Sequence, residues 1–210
     1  MHRRFLLLSS LALVACTPIN TPTNIIDRSG SYLGPDSVTD VSATNLGGTV
    51  IYDEVIPFQT TFQPPGGGPA QFSAKGAVQS RVVVSSKTGN YIFYYRFRDL
   101  MFNPAAPQQS GSQFIEIVSL SGIDSSLLPI RHFDIATSQS LGGEEWGGPV
   151  NLTLGSTIGL EWNSFFNKPD GTTFTALETT TRKFKTGKFL SLGDQAFGSA
   201  TLDKIAIPSK

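Results

Sequence analysis

With 210 residues, 16 basic and 16 acidic side chains and one cysteine, the chain is long enough to bury a core of its own but cannot staple it with an internal disulfide. Charged residues make up only 15% of it, while glycine occurs 21 times and phenylalanine 15 times. That is the composition of an exported all-β protein and not of a disordered one, and the even balance of charge gives no reason to expect a nucleic acid partner.

The first elements lie at the start. His2, Arg3 and Arg4 form a positive head, Phe5 to Ala15 an apolar run of eleven residues, and Cys16 follows, which is the three-part build of an export signal. The run is too short to cross a bilayer as a stable helix, which takes about 20 residues. Leu13-Val14-Ala15-Cys16 resembles the lipobox of bacterial lipoproteins: a branched aliphatic residue, a tolerant position, a small residue and cysteine. The resemblance implies cleavage between Ala15 and Cys16, a diacylglycerol on the sulfur and acylation of the freed amine. A thiolate is the strongest side-chain nucleophile for such a thioether, and each buried methylene contributes about 0.8 kcal/mol, so two or three chains hold where one does not. Thr17 stands where an Asp would mark inner-membrane retention in the enteric pattern, which leans the expectation toward the outer membrane. The residues alone leave open an ordinary secreted protein with a cysteine at the cut, or a buried free thiol. The expected organisation is a signal peptide over 1–15, a lipidated Cys16 with a flexible tether over 16–43, and one domain over 44–210.

The tether expectation rests on CTPINTPTNIIDRSGSYLGPDSVTDV, which is rich in Thr and Pro and poor in periodicity. From Thr44 alternation begins. A first strand runs from Gly48 toward Phe58, with Thr49, Ile51 and Asp53 on one face and Val50, Tyr52 and Glu54 on the other. Pro64 to Pro69, with three glycines, is a loop. Gln71 to Val84 is a strand, Lys87 to Asn90 a tight turn, and Tyr91 to Arg98 a second strand that places Tyr91, Phe93, Tyr95 and Phe97 on one face. Met101 to Ser112 reads as a loop, and strands follow at Phe114 to Leu120 and Ile130 to Ala136, with a turn around Asp124 to Leu128. After the glycine-rich loop Leu141 to Gly148 come a pair of strands about Gly155, a strand over Phe174 to Phe184, and closing strands at Phe189 to Leu192 and Ala200 to Ile207. Eight to eleven short strands with little helix predict an all-β antiparallel β-sandwich, jelly-roll or Ig-like. The order Gly155-Ser-Thr-Ile-Gly-Leu-Glu-Trp162, Pro169-Asp-Gly171, then a Thr-rich strand ending Phe184-Lys-Thr-Gly187, resembles exported bacterial β-sandwich domains without an assigned chemistry. Many of those carry a Pro-Glu-Pro sorting tail, which the residues up to Lys210 do not contain.

Few side chains suggest chemistry. His132, two residues from Asp134 on one strand face, has half of a hydrolase triad, but no Gly-x-Ser-x-Gly elbow accompanies it, and a structural histidine is the plainer reading. Glu144, Glu145 and Trp146, between glycine pairs, are candidate ligand-binding residues, since carboxylates beside an indole suit a sugar face or a glycosidic bond. The plainer reading is an exposed loop tip with its Trp folded onto the sheet. With no Cys/His set, calcium loop or phosphate-binding motif, neither a metal nor a cofactor is expected. Arg182-Lys183-Phe184-Lys185-Thr186-Gly187-Lys188 reads as a solvated strand and turn. The aromatic stripe at 91–97 reads as core before platform. The sequence therefore points to a non-enzymatic envelope module that is held to the membrane through Cys16 and meets an envelope protein or glycan.

Overall fold

The structure, a computed structural model, describes residues 21–26, 32–38, 48–62, 72–104, 115–135, 151–166, 174–193 and 199–210. The alternation at 91–97 builds the centre of it. Strand β5 (Tyr91–Pro104) pairs antiparallel with β4 (Phe72–Ser85), which pairs in turn with the edge strand β3 (Gly48–Phe62). On the other side of β5 lie β10 (Phe174–Glu178), β7 (Ile130–Ile135), β1 (Thr21–Ile26) and β2 (Tyr32–Val38), completing a seven-stranded sheet in the order β2-β1-β7-β10-β5-β4-β3. A five-stranded sheet faces it, built from β6 (Ile115–Asp124), β8 (Asn151–Leu154), β9 (Thr157–Phe166), β12 (Leu190–Gly193) and β13 (Ser199–Leu202) in the order β13-β12-β6-β9-β8. The protein is an all-β antiparallel sandwich with one turn of 3-10 helix, Ser125–Leu127, among the described residues.

Phe93, Tyr95 and Phe97 lie within 1% of full burial between the sheets, and Tyr91 packs against the same core from its margin. They meet Val118, Leu120, Leu160 and Trp162 of the opposite sheet, all equally buried. Each such side chain contributes roughly 1.5–3 kcal/mol by leaving water, so the stripe is core and not a platform. The strand also continues past its expected end: β5 reaches Pro104 because Met101 to Pro104 find partners in Lys75 to Phe72.

Two of the bulges in the larger sheet, on β3 and β5, set which side chains face in. Between Val50 and Tyr52 the β3–β4 register slips by one residue, so Tyr52 shares a face with Val82 while Val50 shares the opposite face with Val83 and Asp53 with Arg81. The expected grouping of Thr49, Ile51 and Asp53 fails at this bulge, because an extra residue inverts the alternation. On β5, Asp99 at φ 54° sits opposite Gly76, and inward positions change from Phe97 to Leu100. A Cβ on Gly76 would stand 3.0 Å from the Arg98 carbonyl oxygen, so the bulge needs a glycine across from it.

Three further segments differ from the sequence expectation. Thr21–Ile26 and Tyr32–Val38, parts of the stretch expected as tether, are strands: β1 pairs antiparallel with β7, Ile26 in register with Ile130, and β2 with its Pro35 takes the outermost place, where a missing N–H costs no ladder bond. Phe174 to Phe184 is not one strand. The hydroxyls of Thr179 and Thr181 accept from the backbone N–H groups of Thr181 and Lys183, and this local bonding competes with the ladder and ends β10. The chain resumes as β11 (Phe184–Gly187), which pairs with β14 (Ile205–Pro208) in a separate two-stranded unit. Ala200 to Ile207 is likewise split, into β13 and β14, at Asp203-Lys204, where Lys204 takes φ 61°. The pairings Gly187 with Ile205 and Leu190 with Leu202 belong to one continuous register, so β11-β12 and β13-β14 are a single ribbon with a bend in it.

The bend turns β14 inward, where all four of its residues are buried. One edge of β14 pairs with β11 and the other meets sheet side chains: Tyr95 donates its hydroxyl to the Ala206 carbonyl at 2.6 Å, and the Ala206 N–H donates to Oγ of Ser80 at 3.0 Å. Tyr52 donates to the Lys204 carbonyl at the bend. These polar groups stand inside an apolar core because a buried backbone edge needs partners.

Candidate functional site

Of the residues singled out from sequence as candidates for chemistry, His132 is the one whose side chain falls among the described ones. It lies on β7 and is 1% exposed, wedged between the sheets. Its Nε2 is 2.7 Å from Oγ1 of Thr175 on β10, and its ring centroid is 6.0 Å from that of Trp162. Burial lowers its pKa to about 4, so the imidazole is neutral near pH 7. Asp134 follows on the same strand, its backbone in register with Thr175. A general base must reach a proton on its substrate, and this imidazole is sealed behind two sheets. Trp162, on β9 of the opposite sheet, packs beside the ring. Cys16, Glu144, Glu145 and Trp146 lie outside the described residues.

The most organised polar array sits on the outer face of the larger sheet, and it was not legible as a unit because its members come from four strands. Asp53 on β3 accepts from Nη2 of Arg81 and from Nε2 of Gln79, both at 2.6 Å, and Gln79 accepts in turn from Nε of Arg96 at 2.8 Å. The guanidinium carbons of Arg96 and Arg81 lie 4.6 and 5.6 Å from the Phe174 ring centroid, and Tyr94 meets that ring edge-on at 5.8 Å. Burial alone would raise the Asp53 carboxyl, but the bonds from Arg81 and Gln79 and the nearby guanidinium charges outweigh it and hold it below the usual carboxylate range. Burial, with Arg98 and Arg81 alongside, lowers Arg96. Beneath the charges, Val83, Ile92, Tyr94, Phe174 and Ala176 form a second, smaller buried cluster. Farther along the same face Arg131 pairs with Glu178 at 2.9 Å, and the Thr88 hydroxyl donates to that carboxylate.

Comparison of the chain with family models, with curated proteins and with solved structures gives no match.

The outer array thus has to be judged on its chemistry. Both oxygens of Asp53 and both ends of the Gln79 amide are engaged within the protein, and arginine is never a proton carrier near neutrality. Asp53, Gln79, Arg81 and Arg96 thus bond to one another across three adjacent strands. Two shallow depressions open at the margin of β3. One, of about 270 Å³, lies against the ribbon bend near Glu54 and Asp203, and the other, of about 570 Å³, lies over the Asp99 bulge beside Lys75 and Met101. Neither is lined by His132 or by the Asp53 array. Among the described residues no three His, Cys, Asp or Glu side chains gather as a metal site, and no helix is long and apolar enough to cross a membrane.

Proposed function

We propose that the chain is a bacterial envelope lipoprotein, anchored by acyl chains on Cys16 in the outer membrane rather than the inner, whose sandwich is a non-catalytic structural or interaction module for an envelope protein or glycan. The observation that carries this reading is Leu13-Val14-Ala15-Cys16 placed directly behind a charged head and an apolar run of eleven residues. Two features of the domain support its non-catalytic half: His132, the one histidine beyond the leader, is in the core, and the best-formed polar array is bonded to itself. The test is expression of the chain and of Cys16→Ser in a bacterial host fed radiolabelled palmitate, followed by membrane fractionation. The parent is expected to take up label and fractionate with the outer membrane, and the variant to stay unlabelled, as uncut precursor or released protein. Unchanged labelling and retention in the variant would sink the anchor.

A second reading is favoured by the glycine-flanked acid pair next to an indole: glycan binding or hydrolysis at Glu144, Glu145 and Trp146. Loss of polysaccharide retention in Trp146→Ala, read by affinity electrophoresis, would support it. Equal migration of parent and variant through every glycan gel would remove it.

A further inference from the structure

We infer that the bent ribbon carries a docking surface for an anionic lipid leaflet, along the outer edge of β11. In sequence the basic run at 182–188 looks short and interrupted. The fold adds to it. The ribbon register that pairs Lys185 with Ile207 sets Lys188 across from Lys204 at the bend, and Arg182 lies over the turn that holds Lys87, its guanidinium 3.1 Å from where a Cβ on Gly89 would stand. Arg182, Lys183, Lys185, Lys188, Lys204 and Lys87 are all exposed, and none of them is in an ion pair among the described residues. The described part of the ribbon, 182–193 and 199–210, has one acidic side chain, Asp203, which borders the depression at the bend with Glu54 and Lys204; Glu178 on β10 is taken up by Arg131 and Thr88. This concentration of positive charge sits on a chain whose net charge is zero.

Lysines on an edge strand also deter strand pairing, which accounts for Lys185. It does not account for Lys183, just before the strand, or for Lys87, Lys188 and Lys204, which stand on turns and bends. The chemistry further favours a surface over a discrete ligand. Five of the six cations are lysines, compact point charges on flexible stems, one of which, Lys185, rests its ammonium 5.2 Å from the Phe189 ring centroid; a defined phosphate or carboxylate is better gripped by the arginine fork. Four of them, Arg182, Lys183, Lys185 and Lys188, are spread over seven residues, an edge of about 20 Å, with Lys87 and Lys204 on the turns beside it; of the six only Lys204 borders a depression, the one at the bend. A bilayer of anionic headgroups is a spread of charge that matches such an edge, and attraction to it acts within about 8 Å at physiological ionic strength. The inference rests on the reading that Cys16 is acylated, because the anchor keeps a leaflet within that reach.

The test is built so that the two readings fail separately. In the full chain carrying Cys16→Ser no acyl chain can form, and the protein has no cysteine left. A single fluorophore is then placed through Thr186→Cys on exposed β11, or through Met101→Cys, which is 56% exposed and lies ten residues along β5 from Tyr91, about 33 Å from the basic end. Each is mixed with vesicles of phosphatidylethanolamine containing one third phosphatidylglycerol and a headgroup spin label. Quenching at 186 is expected to exceed that at 101 severalfold, and to fall to the level at 101 when Lys183, Lys185 and Lys188 are changed to Gln. Each such cation is worth about fivefold in partitioning, so the triple change should weaken the leaflet contact about a hundredfold. Equal quenching at both positions, or quenching at 186 that survives the triple change in a variant with parental melting temperature, overturns the inference. Failure of Cys16 to acylate, with the vesicle result intact, would overturn the anchor and leave this surface standing.

Discussion

Acidification should weaken this fold through His132, by an amount that its burial sets. Folded, the imidazole has a pKa of about 4 against 6.5 when free. The unfolded chain therefore takes up a proton below about pH 6.5 that the folded chain refuses until about pH 4, and stability must rise with pH between those limits. The whole interval corresponds to about 3 kcal/mol, of which about 2 kcal/mol is already lost at about pH 5. Against a total stability of 5–15 kcal/mol for an ordinary domain this is a large share. Urea unfolding, followed by far-ultraviolet circular dichroism near neutrality and near pH 5, measures it. His132→Gln keeps a side-chain amide within reach of the Thr175 hydroxyl and cannot titrate, so it should unfold at nearly the same urea concentration at both pH values once the carboxylate contribution, common to both proteins, is subtracted. The ring-proton resonance of His132, the one histidine beyond residues 1–15, gives the pKa directly. Parallel pH dependence in parent and variant, or an imidazole titrating near 6.5, would refute the reasoning.

Other perturbations report on other parts of the fold. Tyr95→Phe deletes one buried oxygen and strands the Ala206 carbonyl, and should cost about 1–3 kcal/mol in urea unfolding; Ser80→Ala should cost a similar amount and speed exchange of the Ala206 amide. Gly76→Ala places a methyl 3.0 Å from the Arg98 carbonyl oxygen across the bulge and should lower thermal stability, whereas Ala at exposed Gly155, whose added Cβ meets nothing nearer than 3.7 Å, should be close to neutral. Phe174→Ala removes the ring under Arg81 and Arg96 and should cost about 3–5 kcal/mol, which calorimetry would resolve.

What was legible in the sequence follows from range. Tyr91 to Phe97 announced a buried strand face because alternation is local, and Lys87 to Asn90 a turn for the same reason. The bulges at Val50–Tyr52 and at Asp99 were hidden, since a register slip is decided by the partner strand. The Asp53, Gln79, Arg81, Arg96 and Phe174 array was hidden too, its members spread over more than a hundred residues and joined only by pairing. Thr179 and Thr181 looked like β-formers and ended a strand, because their hydroxyls found nearby amides first. His132, read from sequence as a structural or surface side chain, lies in the core. Its neighbours Thr175 and Trp162, both on strands distant in sequence, could not be named.

The bent ribbon has a mechanical consequence. Its β12-β13 half is bonded into one sheet, and its β14 end is bonded through Ser80 and Tyr95 to the inner face of the other. Two sheets that touched only through apolar side chains could slip past each other at little cost. Here sliding must either straighten the corner at Asp203-Lys204 or tear two buried main-chain bonds, so the ribbon works as a dovetail key, and shear across the sandwich is resisted by directional bonds where separation is resisted by hydrophobic contact.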